Sequence, residues 1–484
     1  MESMHDGPDI STLLKKYFNL DSFRSSQEEI IKHTLAGGSS LVLMPTGMGK
    51  SLCYQLPALI FGGLTVVISP LIALMKDQVD SLKRRGIDAE FINSSLSSPE
   101  REKRYRKLAG GEYRLIYVSP ERFRKADFLD AVAARKISLL AVDEAHCVSQ
   151  WGHDFRPDYS RIFQFREKLG NPPTIALTAT ASARVQEDII VCTGMEPGAV
   201  KIFNEGICRP NLGLEVFDPV DEPVKFEMLL ELLQERKGSA IVYFNLISGI
   251  ERFSHFLDMK RMRYSVYHGQ LQAEKRRRVQ EAFISSGSML MLATNAFGMG
   301  VDKEDIRMVL HAEIPDSVES YYQEIGRAGR DGNPSRCALF YNEADLAVQM
   351  EFLKWRNPDA VFIKKTYSYL ASLGGALNSH TYEDIQENLV YKDRTDHRLS
   401  TVLSLFDRYG VTTGSLDTLN LKIESGIPDA LVSEESLAFK LDLDRRRLAD
   451  MLGYAKTSGC RREYIHRYFN APMKGCGNCD NCRG

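Results

Sequence analysis

One eight-residue stretch, Met44-Pro45-Thr46-Gly47-Met48-Gly49-Lys50-Ser51, constrains this chain more than any other. It directly follows an apolar run, Ser40–Met44, and opens a helical stretch. Its two glycines let successive backbone N–H groups turn toward one point, and a helix N-terminus adds partial positive charge there. Such a loop cradles a polyphosphate, with Lys50 reaching the outer phosphoryl oxygens and Ser51 offering its hydroxyl to Mg²⁺. The strict pattern G-x-x-x-x-G-K-[ST] fails at one place, because Met44 stands where its first glycine belongs. The Thr46-Gly47-x-Gly49-Lys50-Ser51 core is intact.

A loop of this kind needs a buried parallel sheet around it. Short β-branched runs at Ser40–Met44, Leu64–Ser69, Arg114–Val118, Leu139–Val142 and Thr174–Leu177 alternate with helical stretches. Continuous apolar strands separated by amphipathic segments imply a parallel sheet covered by helices on both faces. After Arg209-Pro210-Asn211 the pattern restarts, with runs at Ser239–Phe244, Met289–Ala293, Arg307–His311 and Arg336–Tyr341. Two consecutive α/β domains are expected. With 484 residues and roughly 150 per domain, about three domains fit.

Two further groups suit phosphoryl transfer. Leu139-Leu140-Ala141-Val142-Asp143-Glu144-Ala145-His146 ends an apolar strand with paired carboxylates. Asp143 is expected to hold Mg²⁺ through water, and Glu144 to position or deprotonate the attacking water. Gln323-Glu324-Ile325-Gly326-Arg327-Ala328-Gly329-Arg330 lies in the second α/β domain and sets two arginines three apart, read as one helical face. Across a cleft, Arg327 and Arg330 would meet charge developing on the γ-phosphate.

From about residue 344 the strand rhythm stops. Helical segments are expected near Asp359–Leu373, Tyr382–Leu389 and His397–Tyr409, the last with Leu399, Val402, Leu403 and Phe406 on one buried face. Thr412–Ser425 is turn-rich, with Leu419, Leu421 and Ile423 alternating. Helix–helix–helix–hairpin suits a winged helix, and equally any small helical bundle. From Leu441 the chain reads as a long helix, a loop and a cysteine cluster, with nine Lys/Arg against five Asp/Glu between Leu441 and Arg483.

Cys460, then fifteen residues, then Cys476-x-x-Cys479-x-x-Cys482 has the spacing of a metal site. Gly475, Gly477, Asn478, Asp480 and Asn481 form the tight turns that let three sulfurs converge, while Cys460 is expected from a helix. A closed four-sulfur set means structural rather than catalytic zinc. Cys53, Cys147, Cys192, Cys208 and Cys337 are scattered and read as small apolar packing residues.

Composition excludes several classes. The 62 Lys+Arg and 64 Asp+Glu give a net charge of −2, which disfavours a small basic protein coating nucleic acid by bulk electrostatics, though not binding through a local patch. No apolar run approaches the roughly 18 residues of a membrane span, and the acidic start MESMHDGPD is not that of a signal or transit peptide.

These residues together resemble the RecQ helicases, within the second helicase superfamily. The resemblance spans about residues 15–342 and the cysteine tail. Phe23-Arg24-x-x-Gln27 looks like the family's adenine contact, which puts Arg24 and Gln27 at the nucleotide. Ser69 to Gln78 is similar to its first DNA-contact motif, and Leu177-Thr178-Ala179-Thr180-Ala181 to the one coupling hydrolysis to domain movement. Thr294-Asn295-Ala296-Phe297-Gly298-Met299-Gly300-Val301-Asp302-Lys303 resembles its fifth motif, implying nucleotide contacts at Gly300 and Asp302 and DNA contacts at Thr294 and Asn295. Gln150-Trp151-Gly152-His153-Asp154-Phe155-Arg156-Pro157 resembles the family's aromatic-rich loop, which senses single-stranded DNA. Trp151 and Phe155 are stackable faces worth about 1–3 kcal/mol per base, Arg156 can bind phosphate, and Gln150 and His153 can hydrogen-bond. Leu20 departs from the family's stacking tyrosine, and Tyr243-Phe244-Asn245-Leu246-Ile247 lacks its usual Ser-Arg pair.

The resemblance implies two tandem RecA-like motor domains, at 1–205 and 206–343, an accessory helical module at 344–440 of winged-helix or bundle type, and a zinc module at 441–484. ATP, Mg²⁺ and Zn²⁺ are the implied cofactors. The expected activity is ATP-dependent 3′-to-5′ translocation on single-stranded DNA with unwinding of forked or tailed duplexes, in recombination and repair. A monomer free of membranes is expected, cytoplasmic in a bacterium or nuclear in a eukaryote. A family zinc module ordinarily follows the second motor closely and precedes a winged helix. Here more than a hundred residues separate Pro334 from Cys460, so 344–440 reads as an inserted DNA-binding module.

Overall fold

The apolar runs do not alternate, and their strands are buried on both faces. A computed structural model describes residues 9–45, 47–70, 72–93, 96–149, 159–298, 301, 303–390, 396–416, 419–471 and 473–483. The chain divides into two units, one of Met1–Ala312, Glu319–Phe340 and Thr457–Gly484, the other of Glu313–Val318 and Tyr341–Lys456.

The first unit holds both parallel sheets. Strands β1 (Ser40–Leu43), β2 (Leu64–Ile68), β3 (Ala89–Ile92), β4 (Leu115–Val118), β5 (Ile137–Val142), β6 (Thr174–Thr178) and β7 (Lys201–Asn204) stand in the order β3-β4-β2-β5-β6-β1-β7. Strands β8 (Leu212–Phe217), β9 (Ser239–Tyr243), β10 (Ser265–Tyr267), β11 (Leu290–Ala293), β12 (Ile306–His311) and β13 (Ser335–Phe340) stand in the order β10-β11-β9-β12-β13-β8. Every pairing in both sheets is parallel, so helical crossovers cover their faces. Two apolar clusters sandwich the first sheet, one around Leu41, Ile116 and Phe128, the other around Val42, Tyr54 and Tyr117.

Order β5-β6-β1 brings three chemically rich strand ends side by side. Ligands of open α/β sheets bind beyond the carboxyl ends of strands. The phosphate loop leaves β1, Asp143 follows β5, and Thr178 closes β6.

The second unit is helical. Helices Glu343–Arg356, Ala360–Leu373, Tyr382–Val390, Arg398–Arg408 and Glu434–Lys456 accompany a two-stranded antiparallel hairpin of β14 (Thr412–Thr413) and β15 (Lys422–Ile423). Its core is its own, with Leu399, Val402 and Phe406 fully buried beside Ile363, Leu370 and Ile385. Helix Glu343–Arg356 begins in a capping box in which Asn342 and Asp345 satisfy each other's backbone N–H groups. The expected module boundary at 440/441 needs correction, since Glu434–Lys456 is one continuous helix. Nothing in its sequence, from Ser436 to Asp444, breaks a helix.

Candidate active site and metal centre

The phosphate loop folds as its glycines require. Gly47 and Gly49 take φ of +84° and +79°, a region L side chains rarely enter, and Ser51 stands at the N-cap position of helix Leu52–Ile60 without a side-chain capping bond. Lys50 Nζ lies 3.1 Å from the Met44 carbonyl, across the loop it serves. The Gln27 side-chain amide donates to the carbonyls of Met48, at 2.8 Å, and Gly49, at 3.1 Å, while its oxygen accepts from the Arg24 N–H at 2.8 Å. Arg24 Nη1 donates to the Gly47 carbonyl at 3.3 Å. Arg24 and Gln27, expected at the adenine, are thus bonded to the loop backbone. Thr46 lies outside the described residues.

Beside the loop, Asp143 is buried at the end of β5. Burial first, and then the neighbouring Glu144 charge, push its carboxyl up to about 7, with Lys50 pulling the other way. Glu144 adopts φ +47°, a left-handed conformation that costs a non-glycine residue about 1–2 kcal/mol. That turn sets Glu144 Oε2 3.4 Å from His146 Nδ1, and the same imidazole nitrogen lies 3.0 Å from Thr178 Oγ1. Thr178 Oγ1 in turn donates to the Thr180 carbonyl at 3.1 Å. One imidazole nitrogen thus lies between that carboxylate and the next strand's end, bonded to Thr178, while Glu144 Oε2 accepts no hydrogen bond among the described residues.

The second sheet brings the arginines. Helix Val318–Ile325 stops before them, and Gly326–Arg330 is a turn, with Gly329 at φ +54°. The expectation of one helical face is corrected here, because two glycines in four residues end the helix. The arginines consequently part. A Cβ on Gly47 would stand only 2.9 Å from Arg330 Cγ, so the Arg330 side chain lies against the phosphate loop itself. Arg327 Nη1 donates instead to the Gly298 carbonyl, in the loop after β11. Thr294 is buried in that loop, its N–H bonded to the Tyr267 carbonyl at 3.2 Å, and Asn295 is exposed. Gly300 and Asp302 lie outside the described residues, as do Gln150, Trp151, His153, Phe155 and Arg156.

The four tail cysteines converge. Their sulfurs all lie within 4.8 Å of one another, the reach of one tetrahedral ion. Cys460 sits at the N-cap of helix Arg461–Tyr468, and N–H groups of Arg461, Glu463 and Asn478 point at Cys479, Cys460 and Cys476 sulfurs at 3.4 Å each. Donors aimed at sulfur favour the thiolate form that zinc takes. The donor set fits Zn²⁺.

Two links go beyond what residue type and spacing disclose. His146 ends a carboxylate motif in the sequence, and in the fold its Nδ1 lies between Glu144 and Thr178. Arg209-Pro210-Asn211 marks where the strand pattern restarts, and in the fold Arg209 donates to carbonyls on the arginine-bearing turn. An arginine and an asparagine flanking a proline between two domains is the signal that pointed there.

Two parallel-sheet lobes, one with a phosphate loop and the other with Arg327 and Arg330 on its turn, have the layout of the motor of the second helicase superfamily. Residues 24–189 match the DEAD/DEAH box helicase family, 224–332 the helicase conserved C-terminal domain, and 430–483 the RecQ zinc-binding domain. A probable ATP-dependent DNA helicase, RecS of Bacillus subtilis, is 34% identical over 94% of this chain and 88% of its own length. The ATP-dependent DNA helicase RecQ of Pasteurella multocida is 44% identical over 69% of this chain and 52% of its own length. The chain thus spans about half the length of that relative. The chain belongs to the RecQ family. Among solved structures, Mss116p bound to ssRNA and AMP-PNP superimposes with a TM-score of 0.57 at 17% identity, covering 98% of each chain, a likeness of fold. ATP and Mg²⁺ are the cofactors of such motor domains and Zn²⁺ that of the cysteine cluster, and the residues described fit all three.

Proposed function

We propose that this chain hydrolyses ATP to translocate along single-stranded DNA, 3′ to 5′, and to unwind forked or tailed duplexes in recombination and repair. One observation carries the reading: the Arg330 side chain, from the turn after one lobe's helix, rests on Gly47 in the other lobe's phosphate loop. Positive charge from the second sheet thereby reaches the cradle built by the first. Magnesium would be held by Ser51 and Asp143 and would neutralise the phosphate oxygens. Glu144 orients the attacking water, Lys50 and Arg330 oppose the charge that develops as the terminal phosphoryl leaves, and Arg327 ties that event to the loop after β11. His146 carries the state of Glu144 to Thr178, where the family couples hydrolysis to movement.

Thr294 and Asn295, with the aromatic-rich segment of Gln150, Trp151, His153, Phe155 and Arg156, are the proposed grip on DNA. The relatives' names supply DNA as the substrate class. Among the described residues no helix is long and apolar enough to cross a membrane, and we place the protein with DNA, as a monomer.

The test is Lys50→Ala with unwinding measured on forked, 3′-tailed and 5′-tailed duplexes and on matched RNA. Lys50→Ala should abolish turnover and leave DNA binding intact. The parent should open forked and 3′-tailed DNA but not 5′-tailed DNA. Undiminished turnover in Lys50→Ala would overturn the site. Equal opening of RNA would overturn the substrate class.

A further inference from the structure

The turn from Gly326 to Arg330 has left its helix, so its carbonyls need donors from elsewhere. Arg209 supplies them. Its Nη1 donates to Gly326 O at 3.2 Å, and its Nη2 to Ala328 O at 2.6 Å and Gly329 O at 2.9 Å. Asn211 adds a bond to Gly329 O at 2.8 Å and one to Asn333 O at 2.9 Å. The contact is tight: a Cβ on Gly329 would stand 2.5 Å from Asn211 Nδ2 and 2.7 Å from Asn333 O. Just before the turn, Tyr322 donates its hydroxyl to Ile207 O at 2.6 Å. These bonds tie the segment 207–211 to the turn carrying Arg327 and Arg330 and to Tyr322 and Asn333 on either side of it.

The zinc module bonds to Pro210 in the same segment, to Leu212 just after it, and packs on Tyr322. Asn478, between two zinc ligands in sequence, donates to Pro210 O at 3.0 Å and Leu212 O at 3.4 Å. Arg462, two residues after Cys460, donates to Leu212 O at 2.5 Å. Phe469 packs its ring on Tyr322, centroids 5.5 Å apart.

We infer that Arg209 and Asn211 are positioning residues for the arginines of ATP hydrolysis, and that the zinc module braces them through Asn478 and Arg462. The inference rests on the reading above that Arg327 and Arg330 act on the transferred phosphoryl group. A planar guanidinium meets three carbonyls from one fixed plane, which a lysine ammonium on its flexible stem does not reproduce. Displacing a charge-stabilising group by about 1 Å costs on the order of 100-fold in rate. The zinc site thus fixes more than its own fold; it sets where the arginines stand.

The experiment compares Arg209→Lys, Arg209→Ala, Asn211→Ala, Asn478→Ala and Arg330→Ala in the full chain. It reads DNA-stimulated kcat, KM for ATP, the fraction of molecules binding a fluorescent ATP analogue, and zinc per chain. Arg209→Lys and Arg209→Ala should both lower kcat by about 10- to 100-fold, with KM within about two-fold and full occupancy of nucleotide and zinc. Asn211→Ala should follow in the same direction, and Asn478→Ala by a smaller factor with zinc retained. Loss of fold alone would lower the binding-competent fraction instead, so should Arg209→Ala not fold, Arg209→Lys and Asn211→Ala decide. If both keep parental kcat while Arg330→Ala loses it, the positioning role of Arg209 and Asn211 is overturned and the arginine assignment stands. If Arg330→Ala itself keeps parental kcat, the underlying reading falls.

Discussion

Several single residues here act by holding backbone in place. Gln27, only 2% exposed, spends its amide on two carbonyls of the phosphate loop. Gln27→Ala should therefore raise KM for ATP by about 10-fold or more while the chain stays folded, because two neutral hydrogen bonds at about 1 kcal/mol each are lost. Nucleotide titration and thermal melting measure both halves of that statement. His146 is the second case. With Nδ1 between Glu144 and Thr178, His146→Ala should leave much of the DNA-stimulated ATPase and reduce unwinding severely. Parallel ATPase and strand-separation assays on one preparation check it. Trp151→Ala with Phe155→Ala should leave basal ATPase but remove its stimulation by DNA, since base stacking of about 1–3 kcal/mol per ring is lost. These roles differ in how far the sequence disclosed them. Lys50, Asp143 and Glu144 announce themselves by residue type and spacing. The family resemblance puts Gln27 at the nucleotide, but its bonds to the loop carbonyls, like the contacts of His146 and Arg209, are made by the fold and are not encoded in one-dimensional spacing.

Among the elements, the second unit was read well where periodicity is strong. Helices Ala360–Leu373, Tyr382–Val390 and Arg398–Arg408 lie within two residues of their expected limits, and Leu399, Val402 and Phe406 form the buried face. Helix Glu343–Arg356 escaped because its apolar residues, Leu346, Val348, Met350, Phe352 and Leu353, make no single stripe, and its start rests on a capping box instead. Strands β3, β7, β8 and β10 were missed for another reason. Glu90, Lys201, Glu215 or Ser265 interrupts their apolar character, and β10 is only three residues long. Phe406→Ala removes a fully buried ring and should destabilise the second unit by about 3–5 kcal/mol, with ATPase and its stimulation by single strands retained. Calorimetry of parent and variant would register an early transition. The helix–helix–helix–hairpin order of this unit suits a winged helix and equally a small helical bundle. Its charge opposes a strong hold on phosphates, with ten Lys/Arg against fourteen Asp/Glu across 344–440. A DNA contact here therefore rests on the exposed Ser400, Ser404 and Arg408 of the third helix and on Lys422 of the hairpin. Excising the segment should weaken binding to duplex junctions with a shallow salt dependence and spare single-strand-stimulated ATPase. Unchanged junction affinity would remove this unit from the DNA interface.

On the scale of the whole molecule, the zinc module joins the edge of the second sheet. Leu214 of β8 forms a parallel bridge with Cys479, and Val216 N–H donates to Asp480 at 2.9 Å. Asp480 is itself held by Arg461 Nε at 3.0 Å. Strand β8 is the last in its sheet, paired only with β13 on its other side. The metal loop thus acts as a shield for an otherwise sticky border. Stripped of its ion by a chelator, the chain should do more than lose a fold element: an uncovered row of amides and carbonyls invites a second chain to dock there. Light scattering should then rise with protein concentration after chelation, and prompt restoration of zinc should reverse it.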